Sequence, residues 1–342
     1  MEPGAKESEI QKVSDYLVGH GFKINLNRGD VLTVIAAIGD KRLIDSHNIL
    51  SMDGVRDVKL IQEPYKLASK QAKDKDTIIE FSNGVKIGGD ERPVLMVGPC
   101  SVEKDYEGLL KVALAAKEMG CQFLRGGAFK PRTSPYDFQG LEEQGLKYLA
   151  RARKETGLLV VTEVMDTVDV PLVAKYADIL QVGARNMQNF KLLKALGHIK
   201  KPVMLKRGPA ASIREFLLAA EHIMYNGNLN VILCERGVKG LDNDFTRNTL
   251  DISAIPIIRK YSHLPIIVDP SHGTGRRYLI EPMGKAALIA GAHGLMFELH
   301  HDPDHASSDG AQSLSIEQFK EIARSFNKLI GRIDYENKNK KK

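Results

Sequence analysis

Two groups of residues in this 342-residue chain have the types and spacing to do chemistry. The first is the stretch Leu124-Arg-Gly-Gly-Ala-Phe-Lys-Pro-Arg-Thr-Ser-Pro-Tyr136. There an apolar run gives way to three cations, two adjacent glycines, two prolines and two hydroxyls. Such a composition ends a strand in an ordered loop, and cations on a loop braced by Pro131 and Pro135 make a rigid anion-binding surface. A basic surface loop without a ligand is the plainer alternative. The second group is scattered: Cys100, His272, Glu298 and Asp309. A thiol, an imidazole and two carboxylates suit a divalent transition metal of the manganese, iron or zinc class. Singly, each has a dull account, Cys100 as a small buried hydrophobe and His272 as a turn cap. The run His300-His-Asp-Pro-Asp-His305 is a competing ligand source, confined to one loop.

Residues so far apart need a scaffold that gathers them. Short apolar strands begin near Val94, Gln122, Leu158, Ile179, Pro202, Val231, Pro265 and Leu295. Helical patterns follow, for example over 106–119, 141–156, 212–225, 277–290 and 316–329. Spacings of about 20 to 36 residues fit single β/α units, and eight of them predict a closed (β/α)8 barrel. An open doubly wound sheet would normally stop earlier, and its Gly-x-Gly-x-x-Gly fingerprint is absent. In a barrel, chemistry sits at the C-terminal ends of the strands. Those ends supply Cys100, Arg125, Thr162-Glu163, Ala184-Arg185, Lys206-Arg207, Glu235-Arg236, Asp269-Pro-Ser-His272 and Glu298. Cys100, His272 and Glu298 would end strands one, seven and eight, neighbours around the ring, with Asp309 in the loop beyond. Arg125, Lys130, Arg185, Lys206 and Arg236 would share one mouth. Desolvated cations are costly unless anions neutralise them, so a substrate with phosphate and carboxylate groups is expected. Internal pairing to Glu163, Glu235 and Asp269 is the alternative.

Residues 1–63 read as a helix (8–19), a strand from Phe22, a turn at Arg28-Gly-Asp30, a strand (31–38), a short helix (42–50) and a last strand (55–61). The order α-β-β-α-β is that of a small α+β ferredoxin-like module lacking its opening strand, which is absent or borrowed. Residues 64–76 read as a linker. Residues 77–332 form the barrel, entered by a hairpin at Asn83-Gly84. Residues 333–342 read as a disordered basic tail, since four of the +6 net charges are Lys338, Lys340, Lys341 and Lys342. Without them the chain is near neutral, and nucleic-acid binding is not supported. The chain shows no membrane-length apolar run and no signal-peptide core. Cys100, Cys121 and Cys234 are odd in number and far apart, which fits reduced thiols in a cytoplasmic protein.

Seven motifs together resemble a known family. They are Gly98-Pro-Cys-Ser-Val-Glu103, the 124–134 stretch, Gln181-Val-Gly-Ala-Arg185, Leu205-Lys-Arg-Gly208, Cys234-Glu-Arg-Gly237, Val268-Asp-Pro-Ser-His272 and Ser308-Asp-Gly310. The chain is similar, from residue 10 to residue 331, to 3-deoxy-7-phosphoheptulonate synthase in its type I beta form. That enzyme opens the shikimate pathway by condensing phosphoenolpyruvate with erythrose 4-phosphate. The resemblance implies Cys100, His272, Glu298 and Asp309 as metal ligands. It implies Arg185, Arg236 and the Ala184 N–H at the phosphoenolpyruvate phosphate, with Arg125, Lys130 and Lys206 at its carboxylate. Arg132, Thr133 and Ser134 would take the aldose phosphate. Lys130 is the candidate for proton transfer and Glu163 for positioning water. The N-terminal module resembles a regulatory domain that binds tyrosine or phenylalanine, and the family suggests a homotetramer. The related octulosonate 8-phosphate synthase, which uses arabinose 5-phosphate, is the alternative enzyme. A non-catalytic aromatic amino-acid sensor would require damaged motifs, and none is damaged.

Overall fold

The computed structural model describes residues 1–28, 32–59, 63–131, 134, 136–242 and 244–340. The chain divides into two compact units, Met1–Asp74 and Lys75–Lys342.

In the first unit, helix α1 (Glu7–Gly19) is followed by antiparallel strands β1 (Lys23–Arg28) and β2 (Thr33–Ile38) and helix α2 (Ser46–Leu50). Val13, Leu17, Phe22 and Ile49 form its core, with Ile24, Ile35, Val55 and Val58 packed against them. Helix α1 begins one residue before the predicted Ser8, because Glu9 reaches back to the Lys6 N–H at 2.8 Å and sets the first turn. The predicted strand over 55–61 is not a strand in its described part, 55–59. Val55 and Val58 join the core there without pairing to a ladder among the described residues. The predicted turn at 28–30 falls mostly outside the described residues.

The second unit opens with the hairpin β3 (Ile79–Glu80) and β4 (Lys86–Ile87). Eight parallel strands follow: β5 (Val94–Gly98), β6 (Phe123–Arg125), β7 (Leu159–Val164), β8 (Ile179–Val182), β9 (Val203–Lys206), β10 (Val231–Glu235), β11 (Ile266–Val268) and β12 (Gly294–Glu298). They close into a barrel in sequence order, β12 pairing with β5 from Gly294↔Val94 to Glu298↔Gly98. Nearly every strand residue is buried, as the continuous apolar runs demand of a sheet covered on both faces. Helices α3 (Tyr106–Glu118), α4 (Glu142–Thr156), α5 (Val170–Tyr176), α6 (Phe190–Gly197), α7 (Ile213–Tyr225) and α8 (Ala254–Tyr261) alternate with the strands. A short α9 (Pro270–Thr274), then α10 (Arg277–Ile289) and α11 (Ile316–Lys340), complete the unit. Ile79, Phe81 and Ile87 of the hairpin segment pack on Val94, Phe123, Leu159, Ile179, Met204 and Ile267 near the strand starts. The barrel floor is thereby plugged.

Residues 333–340, expected to be a disordered tail, are helical. Phe319, Ala323, Phe326 and Ile330 bury one face of α11, and this anchored helix carries its register onward. The pairs Arg332–Glu336 at 3.1 Å and Asp334–Lys338 at 2.8 Å sit at i,i+4 spacing and support the last turns.

Candidate active site

Cys100, His272, Glu298 and Asp309 converge at the C-terminal mouth, one donor atom from each lying within 4.8 Å of the others. Closure of the ring does much of this. The β12–β5 register sets Glu298 beside Gly98, two residues before Cys100. His272 is not at a strand end as predicted. Strand β11 stops at Val268, Pro270 opens α9, and Asp269 caps it by accepting the His272 N–H at 2.9 Å. Asp309 occupies the left-handed region, φ 50°, at the head of the turn Gly310–Gln312.

The protonation states follow from these contacts. Asp269 is buried, which alone would raise its pKa, yet His272 and Lys206 hold it well below the carboxylate range. An ionised Asp269 only accepts, so the Nδ1 of His272, 2.8 Å from its Oδ2, carries the proton. Burial lowers the His272 pKa and keeps the ring neutral. Its bare Nε2 then lies 3.3 Å from the Glu298 Oε1. The Cys100 Sγ lies 3.0 Å from the Asp309 Oδ2. Burial, with Glu298 next, pushes this thiol up to about 11. Asp309, although burial opposes it, is held at about 2 by the Cys100 hydrogen bond and by the cations Arg247 and Lys130. A lone pair and carboxylates aimed at one buried spot repel unless a cation sits among them. The donor set therefore fits a divalent transition ion.

The predicted cations lie around this cluster but are not all alike. Arg125 donates to the Glu298 Oε1 at 2.6 Å, and Lys130 to the Sγ and the carbonyl of Cys100, both at 2.9 Å. Lys206 donates to the Asp269 Oδ2 at 2.5 Å. Of the acids expected to neutralise cations internally, Glu235 instead takes Arg207 at 2.8 Å and the Gly237 N–H. Glu163 takes the Gln181 amide at 3.3 Å. Among the described residues no hydrogen bond or ion pair ends on the buried Arg236 guanidinium, and burial lowers its pKa. Arg185 is exposed on the turn Ala184–Asn186 after β8. Ser134 is half-buried and accepts the Tyr136 N–H at 3.2 Å, while Arg132 and Thr133 lie outside the described residues.

The competing histidine run does not join the cluster. His300 faces Glu103 at 3.5 Å, His301 faces Asp105 at 3.3 Å and His305 faces Asp302 at 2.9 Å. Two residues that sequence reasoning missed do reach it. Arg247 meets the Asp309 Oδ1 at 3.3 Å, and Gln312 donates to the Glu298 Oε2 at 2.5 Å. Gln312 follows Asp309 by three residues, a signal that was available. Arg247 lies 62 residues from Asp309 and left none.

A closed β/α barrel with this donor set and an unpaired buried arginine at its mouth defines a barrel enzyme of anionic substrates. The model of the DAHP synthetase I family matches residues 76–333, and that of the DAHP synthase ferredoxin-like domain matches residues 1–63. A phospho-2-dehydro-3-deoxyheptonate aldolase of Thermotoga maritima is 49% identical over 329 residues, 96% of each chain. A solved structure of the Thermotoga maritima aldolase aligns with TM-score 0.77 at 48% identity, covering 97% of this chain and 96% of that one. More distant is a 2-dehydro-3-deoxyphosphooctonate aldolase of Desulfotalea psychrophila, 30% identical over 72% of this chain and 93% of its own. The chain belongs to the DAHP synthetase I family and is an enzyme of that family. No helix among the described residues is long and apolar enough to cross a membrane.

Proposed function

We propose that this enzyme condenses phosphoenolpyruvate with D-erythrose 4-phosphate and water, giving 3-deoxy-D-arabino-heptulosonate 7-phosphate and phosphate. This is the first step of the shikimate pathway to chorismate and the aromatic amino acids. The observation that carries the reading is the convergence of Cys100, His272, Glu298 and Asp309 within 4.8 Å, at a mouth lined by Arg125, Lys130, Lys206 and Arg236. In the reaction the phosphoenolpyruvate methylene bonds to the aldehyde carbon, water adds at the carbon bearing the phosphate, and phosphate leaves by C–O cleavage. Cys100, His272, Glu298 and Asp309 would hold a manganese, iron or zinc ion, which would supply Lewis acidity at this mouth. The unpaired Arg236, with Arg185 and the Ala184 N–H, holds the enol phosphate. Arg125, Lys130 and Lys206 hold the carboxylate, and Arg132, Thr133 and Ser134 receive the aldose phosphate. Lys130 serves in proton transfer to the forming alkoxide, a role supported by its contact with Cys100, and Glu163, bonded to Gln181, positions the attacking water.

Residues 1–63 act as a regulatory domain for tyrosine or phenylalanine, a reading supported by the domain match alone. Three free, buried cysteines support a cytoplasmic setting. Family resemblance supports a homotetramer. Phosphate release with erythrose 4-phosphate against arabinose 5-phosphate, with and without a chelator, tests the central claim. Turnover is expected with the four-carbon sugar and is lost on metal removal. Preference for the five-carbon sugar would move the enzyme to octulosonate synthesis, and turnover after rigorous metal removal would end the metal assignment.

A further inference from the structure

We infer that Arg247, working through Gln312, is the positioning residue that sets the metal-binding geometry of this site. The inference rests on the metal reading above. Arg247 stands in the long loop between β10 and α8, whose stem is closed by paired N–H···O bonds of Val238 and Thr249, both 2.9 Å. From there residues 247–248 reach two of the four ligand-bearing segments directly and a third, that of Glu298, through Gln312. The Arg247 N–H donates to the Thr274 carbonyl at 2.8 Å, and the Asn248 N–H to the Gly273 carbonyl at 3.1 Å. The Asn248 side chain donates to the His272 carbonyl at 3.0 Å, so the loop is stitched to α9. The Arg247 guanidinium meets the Asp309 Oδ1 at 3.3 Å and the Gln312 Oε1 at 3.1 Å. Gln312 passes the constraint on, its amide donating to the Glu298 Oε2. One side chain thus orients one carboxylate directly and the other through a single amide.

The chemistry gives this arrangement a purpose. Asp309 sits in a backbone conformation that non-glycine residues rarely adopt, so it needs external contacts to hold it. Arg277 supplies one, donating to the Gly310 carbonyl at 2.7 Å, Cys100 another on the Asp309 Oδ2, and Arg247 a third on the Oδ1. Glu298 is engaged on both oxygens, Oε1 by Arg125 and Oε2 by Gln312, which fixes the rotation of the group. Groups that orient ligands in this way tune metal affinity without touching substrate.

Titration with cobalt(II) tests the inference, followed by the near-ultraviolet thiolate charge-transfer band of Cys100. Arg247→Ala should raise the cobalt Kd by about 10- to 100-fold, and Arg247→Lys should recover part of that loss, since a single nitrogen, Nη1, makes both contacts and an ammonium can donate to both acceptors. At saturating metal, KM for both substrates should stay within about twofold of the parent. Arg247→Ala combined with Gln312→Leu should lose no more affinity than the worse single variant, since both break one chain of contacts. Unchanged cobalt affinity with a raised KM would make Arg247 a substrate ligand and overturn the inference. Additive losses would overturn the relay through Gln312. The Arg247 side chain is 39% exposed, so its variants are expected to fold, and circular dichroism of each checks this. A parent protein that shows no thiolate band would sink the metal reading and this inference together.

Discussion

Lys130 is held at both ends of its reach by one residue, its ammonium lying 2.9 Å from the Sγ and from the carbonyl of Cys100. In the proposed reaction this buried ammonium is the group that delivers a proton to the developing alkoxide. Lys130→Met should therefore lower kcat by about 10²- to 10⁴-fold while the melting temperature stays near that of the parent. Near-normal turnover in steady-state assays would remove Lys130 from proton transfer. At this scale the sequence was most readable where chemistry is unusual. A cysteine, a histidine and two acids at or just beyond strand ends announced themselves, because thiols and imidazoles have few reasons to sit at a polar mouth. Arg236 and Lys206 were equally plain as cations, yet their different fates, one unpaired and one bound to Asp269, depend on side-chain distances that spacing does not encode. Arg247 was invisible for the same reason.

Among the elements, β5 and its neighbours set the position of Cys100 and Arg125. Gly98 ends β5 with φ 151°, and a Cβ there would stand 1.9 Å from the Arg125 carbonyl oxygen. The close approach is backbone against backbone, so nothing flexible can yield. Gly98→Ala should destabilise the protein by about 3 kcal/mol or more, read from urea unfolding, and should displace Cys100 and Arg125 together. An unchanged midpoint would refute the claim. The barrel strands were legible to within one residue of their starts, since a strand buried on both faces must be apolar throughout and must end where polarity returns. The short ferredoxin-like elements were less so. The 55–59 segment has a strand-like pattern but, among the described residues, no ladder to join. The end of α11 was misjudged from its lysines, although Arg332, Asp334, Glu336 and Lys338 stand at the spacing a helix rewards.

For the whole molecule, acid sensitivity has a definite source outside the mouth. Burial, then Arg259, lowers the pKa of His293 to about 4 from an ordinary 6.5, and its Nδ1 accepts the Ile266 N–H at 3.0 Å. The unfolded chain binds this proton more readily than the folded one. Stability is then complete above pH 6.5 and falls as pH drops toward 4, by on the order of 3 kcal/mol from this group. His293→Asn keeps an acceptor and removes the proton, so urea midpoints at pH 7.5 and 5 should differ less than in the parent. An equal difference would assign the loss to other groups. The division at Asp74 sets a second experiment. Deleting residues 1–74 should leave synthase turnover and abolish inhibition by tyrosine or phenylalanine, whereas equal, insensitive rates before and after would refute a regulatory role.

The plug formed by Ile79, Phe81 and Ile87 has a kinetic corollary. A barrel stoppered at its floor is a vessel with one opening, so two phosphorylated reactants and a water must enter, and a sugar acid and free phosphate must depart, by the same door. Traffic through that door is ordered where one reactant, seated at the mouth, covers another below it. Whichever molecule sits deepest enters first and leaves last. If the inner cations and Arg236 hold phosphoenolpyruvate as proposed, it would be the first arrival and orthophosphate the final departure.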